Sequence, residues 1–257
     1  MSSDTITKDK IEIVKTRECL SEKNILTEMS HDVYYYYISK NNVEKNVLRF
    51  SNINELSNDT KEYRPKDFKY DFSRCISYFK NESVAMWSVY APCGCCMRIT
   101  KSVIDDFENK IDTFTIHFKN GKLPEECDDI EKFEFKKKHV IYYSDNEECI
   151  YIKRSTHPAY VSEELFEELK TTEIMKNICW DYECELRLCL AIKYDKFDFK
   201  KEDVDYVDVK IKCKQNQLKY FNSPFTIVNS SQEKNDFNES SLKNINIKVN
   251  KDFLVRK

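Results

Sequence analysis

The sequence predicts an α+β protein, a mixed or antiparallel β-sheet core with a few short helices. Three observations carry that prediction. Stretches with period-two apolar spacing outnumber stretches with helical spacing. The two kinds interleave irregularly, which does not fit the strict strand–helix alternation of a parallel doubly wound sheet. Only Gly94 and Gly121 occur in 257 residues. Phosphate-cradling loops need several glycines, for tight turns and close backbone approach, so a Walker loop and a glycine-rich dinucleotide fingerprint are both excluded.

Residues 1–16 lack periodicity and read as a mobile or loosely docked N-terminal arm before a single domain over 17–257. The aromatic run 33–37 reads as a strand. Residues 41–48 carry Val43, Val47 and Leu48 at helical spacing, followed by a short strand at Leu48-Arg49-Phe50-Ser51 and a polar turn. Residues 72–79 form another strand. Residues 82–90 form a short helix with Val84, Trp87 and Val89 inward, and 95–100 return to strand. Ser102 begins a helix with Ile104, Phe107 and Ile111 as its apolar stripe. Strands follow at 139–143 and 149–153, separated by the turn Ser144-Asp145-Asn146. Ser162 caps a helix carrying Leu165, Phe166 and Leu169 toward Met175. Residues 180–192 read as one long strand. Residues 207–213 alternate Val207, Val209, Ile211 and Cys213 against Asp208, Lys210 and Lys212, a half-buried strand. Residues 229–243 are polar, a loop or disordered insertion before a last strand at 245–249.

Composition narrows the function classes. Forty-two Lys+Arg against 45 Asp+Glu leave a formal charge of -3, which argues against nucleic acid held mainly by electrostatics. Lys136-Lys137-Lys138 is the one short basic cluster, read as a solvated approach to a strand. No apolar stretch reaches membrane-span length and the charged start has no signal-peptide apolar region, so a cytoplasmic protein without a membrane partner is expected. In that reducing setting the 11 cysteines read as buried free thiols. Cys93, Cys95 and Cys96 lack the partner spacing of a zinc site, and no metal is expected.

The segment from Trp180 to Leu188 is the most informative. At period two, Trp180, Tyr182, Cys184, Leu186 and Leu188 share one face, and Asp181, Glu183, Glu185 and Arg187 the other. One reading is a solvated strand face with Arg187 neutralising Glu185. The other is a carboxylate pair projecting into a cleft, one Glu acting on a substrate and the other positioned by Arg187 or a substrate hydroxyl. In the run Tyr34 to Tyr37 two rings point to each face, one pair into a core and the other free to stack on a planar ligand. Trp87 and Tyr90 share a helix face, as core packing or as a ligand platform.

A set of short motifs in order resembles the bacterial family known as domain of unknown function 2971. The motifs are Tyr35-Tyr36-Tyr37 with Ile38-Ser39, LRFSNINELSND with Glu62, Cys75-Ile76-Ser77, Met86-Trp87-x-x-Tyr90, Gly94, a Val/Tyr strand over 140–143, and Lys176-x-x-x-Trp180-x-Tyr182-Glu183-x-Glu185-x-Arg187. Their order is more remotely similar to the ADP-ribosyltransferase fold, where an early strand supplies a His or Arg, a middle strand a Ser or Tyr, and a late strand a catalytic Glu. That resemblance implies Glu185, with Glu183 and Arg187, as the catalytic group. It implies Tyr36, Ser77, Trp87, Tyr90, Lys176 and Asn58 around NAD, which is bound as substrate without a glycine loop. The sequence departs in two places: Tyr36 is neither His nor Arg, and the Asn58-Asp59-Thr60-Lys61-Glu62 turn lacks its proline. The implied function is an NAD-consuming toxin or antiphage effector, with an antitoxin or phage protein as partner. The alternatives are a non-catalytic sensing or interaction module, and a nuclease in which Asp59, Glu62, Glu183 and Glu185 hold Mg²⁺.

Overall fold

A computed structural model describes residues 12–26, 31–39, 45–54, 62–79, 82–146, 149–214 and 216–224. Of the expectations above, Asn58, Asp59, residues 41–44 of the 41–48 helix, the polar stretch 229–243 and the strand at 245–249 lie outside the described residues, while Val47 and Leu48 are not helical and belong to a strand. In chain order the elements are β1 (Ile13–Val14), α1 (Arg17–Glu22), β2 (Val33–Ile38), β3 (Val47–Asn52), β4 (Phe72–Ser77), α2 (Val84–Tyr90) and β5 (Cys95–Thr100). Next come α3 (Lys101–Asp105), α4 (Phe107–Lys110), β6 (Ile111–Phe118), β7 (Glu125–Cys127), β8 (Phe133–His139), β9 (Ile141–Asn146), β10 (Cys149–Arg154) and β11 (His157–Val161). The last are α5 (Glu163–Thr172), β12 (Met175–Asn177), β13 (Glu185–Ile192), β14 (Val204–Ile211) and β15 (Leu218–Asn222). Among the described residues, fifteen strands, paired in both senses, against five short α-helices make the α+β fold that the irregular periodicities predicted.

The chain divides into two compact units. The smaller holds 1–29, 59–68 and 140–181, with a five-stranded sheet in the order β1-β11-β10-β9-β12. Its core forms where α5 lays Leu165, Phe166 and Leu169 on Ile141, Tyr143 and Ile152. Ser162 starts α5 as expected, its Oγ accepting from Leu165 N at 3.3 Å, which satisfies one orphan donor of the first turn. The helix ends at Thr172, and Met175 belongs to β12. Within the expected arm, Ile13–Val14 adds a parallel strand to β11 and Thr16 caps α1.

The larger unit, 30–58, 69–139 and 182–257, carries a ten-stranded sheet. Its main path is β15-β5-β2-β4-β3-β14-β6-β7, while β13 pairs with the other edge of β4 and carries β8 beyond it. One face is apolar, with Tyr34, Tyr36, Met97, Ile76, Leu186, Leu188, Val207 and Val209 in a single cluster. Phe114, Ile116 and Phe118 alternate inward along β6, a strand hidden in the sequence reading by the preceding helical stripe.

Residues 180–192 do not form one strand. Ile178–Glu183 is a 3-10 turn, Cys184 takes a left-handed φ of 42°, and the strand begins at Glu185. Helix α2 buries Met86 and Trp87, whereas Val89 is 55% exposed, so Met86 fills the inward place that the sequence reading gave to Val89.

Gly94 fixes how β5 leaves the turn after α2. A Cβ there would lie 1.8 Å from the Ile38 carbonyl oxygen, and the obstacle is backbone. Gly94→Ala is therefore expected to destabilise the protein by about 1–3 kcal/mol or more through forced displacement of β2. Urea denaturation reads this, and a wild-type midpoint in the variant would show that the close approach carries no constraint.

Candidate functional site

The second face of the large sheet carries an apolar patch under α2 and, beside it, rows of polar residues, the polar face, that strand register builds. In antiparallel pairs, directly opposed residues project to the same side. Arg98 on β5 opposes Tyr35 on β2, Tyr35 opposes Ser77 on β4, and Ser77 opposes Glu185 on β13. These four make one row across four neighbouring strands. A second row runs beside it from Cys75 through Arg187 to Lys138.

Glu185 and Arg187 share this face as the alternation requires, but they are not solvated. Each is 1% exposed, and Arg187 Nε donates to Glu185 Oε1 at 2.6 Å. Burial rules out the solvated-strand reading of this pair. Glu183 stands outside the strand, because the left-handed turn at Cys184 breaks the alternation. Its carboxylate accepts from the Tyr90 hydroxyl at the end of α2. The Cys184 carbonyl is pinned by Tyr78 N at 3.0 Å, which fixes the bend between the two glutamates.

Helix α2 sits on the polar face. Trp87 and Met86 pack with Val33, Tyr35, Tyr37 and Cys96, and half-buried Tyr90, Tyr182 and Phe221 flank them. Trp87 meets Tyr37 edge-on at 5.2 Å and donates Nε1 to Glu82 Oε2 at 3.0 Å. Ser83 caps α2, accepting from Met86 N, while its own N–H donates to the Tyr37 hydroxyl at 2.9 Å. Trp87 is fully buried between α2 and the sheet, so it packs α2 onto the face and is not an open wall. Burial pushes the hydroxyls of Tyr35 and Tyr37 and the thiol of Cys96 upward.

Tyr36 departs from the expectation. It lies in the apolar cluster on the opposite side of β2, with the Arg74 guanidinium over its ring at 4.5 Å. Tyr35 and Tyr37 take the polar side instead. Lys176 belongs to the smaller unit, buried on β12 in register with Tyr142, with Nζ 5.8 Å from the Trp180 ring. Glu62 is also in the smaller unit, bonded to Arg64 at 2.6 Å. Among the described residues no group of three His, Cys, Asp or Glu side chains is placed to hold a metal ion, and Cys95 and Cys96 point to opposite faces of β5.

The sequence reading missed Arg98, Tyr35 and Glu82. A charged residue inside the otherwise apolar strand Cys95–Thr100 was the available signal for Arg98. Lys136 and Lys138, the flanks of the basic cluster, oppose Cys189 and Arg187 on the polar face. Lys137 turns to the other side and donates to the Ile104 carbonyl at 3.1 Å.

Two outcomes test the buried pairs. Arg187→Met leaves the Glu185 charge without its donor and is expected to cost about 3–5 kcal/mol, most of it recovered on adding Glu185→Leu. Unequal recovery in urea denaturation would show that the two residues do not act as a pair. The Tyr90 hydroxyl is raised above its ordinary value of 10.0 by burial and then by the Glu183 charge. A group raised in the folded state stabilises fully below its unfolded value and loses that contribution as pH climbs above it. Stability should therefore fall above pH 10.0 in wild type. Tyr90→Phe should start lower at neutral pH by about 1.5–3 kcal/mol and fall less steeply. Parallel pH curves would refute the assignment.

No curated protein and no solved structure matches the chain. Residues 86–188, the stretch that holds Trp87, Tyr90, Arg98, Glu183, Glu185 and Arg187, match the model of a family described as a protein of unknown function, DUF2971. Over that segment the chain resembles the DUF2971 family, as its ordered motifs led one to expect.

Proposed function

We propose that the polar face of the large sheet is an NAD site of the ADP-ribosyltransferase type. The observation that carries the reading is the row Tyr35–Ser77–Glu185 across three adjacent strands. The resemblance implied Tyr36 on the first strand, and this reading puts Tyr35 there instead, because Tyr36 lies on the opposite face. Glu185 is the catalytic carboxylate, oriented by Arg187 at 2.6 Å. Its charge favours the oxocarbenium-like state as the C1′–N bond of the nicotinamide ribose breaks and nicotinamide leaves with the bonding pair. An acceptor nucleophile, a macromolecular side chain or water, then bonds to C1′ and gives up its proton, with Glu183 as the nearby base. Tyr90 and Tyr182, both half-buried, offer ring faces to the nicotinamide. NAD loss or modification of a macromolecule would suit a toxin or antiphage effector.

A second reading has its own support. Glu82, Glu183 and Glu185 are each buried and each already accepts from a donor of this chain, Trp87, Tyr90 and Arg187 respectively. Closed pairs of this kind suit a module that binds a ligand and does not turn it over. Incubation with NAD, alone and with cell lysate, separates the two. Nicotinamide release by wild type that falls at least 100-fold in Glu185→Gln supports the transferase, on the scale of losing one transition-state charge contact. Saturable thermal stabilisation by NAD without release leaves the binding module, and release unchanged in Glu185→Gln removes Glu185 from the chemistry.

A further inference from the structure

The four-strand row continues one strand beyond Arg98. Lys219 on β15 opposes Arg98 directly, so the two cations project side by side from the same face as Tyr35, Ser77 and Glu185. Directly opposed like charges on neighbouring strands repel and destabilise the pairing. Neither residue is compensated: among the described residues Arg98 and Lys219 form no ion pair. Arg98 is half-buried, and the group within its hydrogen-bonding reach is the Tyr35 hydroxyl, which is neutral. The carboxylate whose charge acts on Tyr35 is Glu82, and its Oε2 accepts from the Trp87 indole. A lysine on the last strand of a sheet has a second use, guarding an open edge against other strands. That accounts for Lys219 and leaves the half-buried Arg98 unexplained.

We propose that Arg98 and Lys219 form the anion subsite of the polar face, taking the phosphates of a nucleotide whose ribose end lies toward Glu185. The guanidinium fork matches two phosphate oxygens at once, and the ammonium adds a point charge beside it. Exposure grades along the row, from open at Lys219 through half-buried Arg98 to Tyr35, Ser77 and Glu185 inside. The charged part of a ligand therefore stays at the wet end and its hydroxyl-bearing part enters. Arg98 and Glu185 stand three strand spacings apart, about 14 Å, a span for a nucleotide carrying a diphosphate and too long for a single phosphate ion. The class of ligand rests on the NAD reading above; the subsite itself rests on Arg98, Lys219 and their register.

The test is calorimetric titration of the full chain with ADP-ribose, inorganic pyrophosphate and nicotinamide riboside, the last without phosphate, at several salt concentrations. Arg98→Gln, Arg98→Lys and Lys219→Gln are compared with wild type, each shown to be folded by its unfolding midpoint. The expected result is that Arg98→Gln weakens ADP-ribose at least tenfold and flattens the salt dependence, while Arg98→Lys recovers part of the loss. Lys219→Gln should weaken binding several-fold. Arg98-dependent ADP-ribose binding without nicotinamide release from NAD keeps the subsite and removes the transfer reaction. Nicotinamide release indifferent to Arg98→Gln keeps the reaction and overturns the subsite. Unchanged ADP-ribose affinity and salt slope in Arg98→Gln, or no binding of either phosphate compound to folded wild type, overturns it as well.

Discussion

Glu185 and Arg187 place an ion pair inside a strand on which every residue is buried. Removing two charges from water costs several kcal/mol per ion, and mutual attraction repays it only when geometry holds both partners in place. The surrounding structure meets that demand. β4 and β8 clamp β13 on both edges, with Leu186, Leu188 and Leu190 anchored in the apolar cluster behind. Arg187 stands between Cys75 and Lys138, with the Glu185 carboxylate as its counter-charge. A shift of β13 by one residue would put the pair into the apolar core and the leucines onto the polar face.

The same logic extends over the whole polar face. Three carboxylates come from three places in the chain: the lead-in to α2, the 3-10 turn and the first residue of β13. Each meets a different kind of donor, an indole, a phenol and a guanidinium. Separate donors give each negative charge its own counterpart. Short α2 is held by its Ser83 cap, by Tyr37 beneath it and by Tyr90 at its far end. Polar side chains that would be expensive to bury singly become part of one connected support for the sheet.

Much of this was readable in the sequence, and the failures have physical causes. The α+β class, the Ser162 cap, the strand over 95–100 and the shared face of Glu185 and Arg187 follow from local periodicity and capping chemistry. Glu183 was placed on the wrong element because a cysteine in the left-handed region gives no warning in the sequence, where glycine or asparagine would. β11 was missed because His157-Pro158-Ala159 carries a proline inside it. Arg98 was missed for a different reason: its importance comes from opposing Tyr35 and Lys219, and cross-strand register between segments more than 60 residues apart is not a local property. Tyr36 was preferred to Tyr35 on motif position alone, and four identical side chains in a row offer no pattern by which to choose.

That last ambiguity also confronts the folding chain. In Tyr34 to Tyr37 a one-residue slip of β2 would exchange tyrosine for tyrosine on both faces, so the hydrophobic pattern that normally selects a pairing is silent at the centre of this strand. Selection must come from its ends. At one end Gly94 admits the Ile38 carbonyl where any larger residue would strike it, and a slipped β2 would bring a different residue to that contact. A glycine far from the carboxylates thus acts as an index mark: it decides which tyrosines face the polar row and which are sealed in the core.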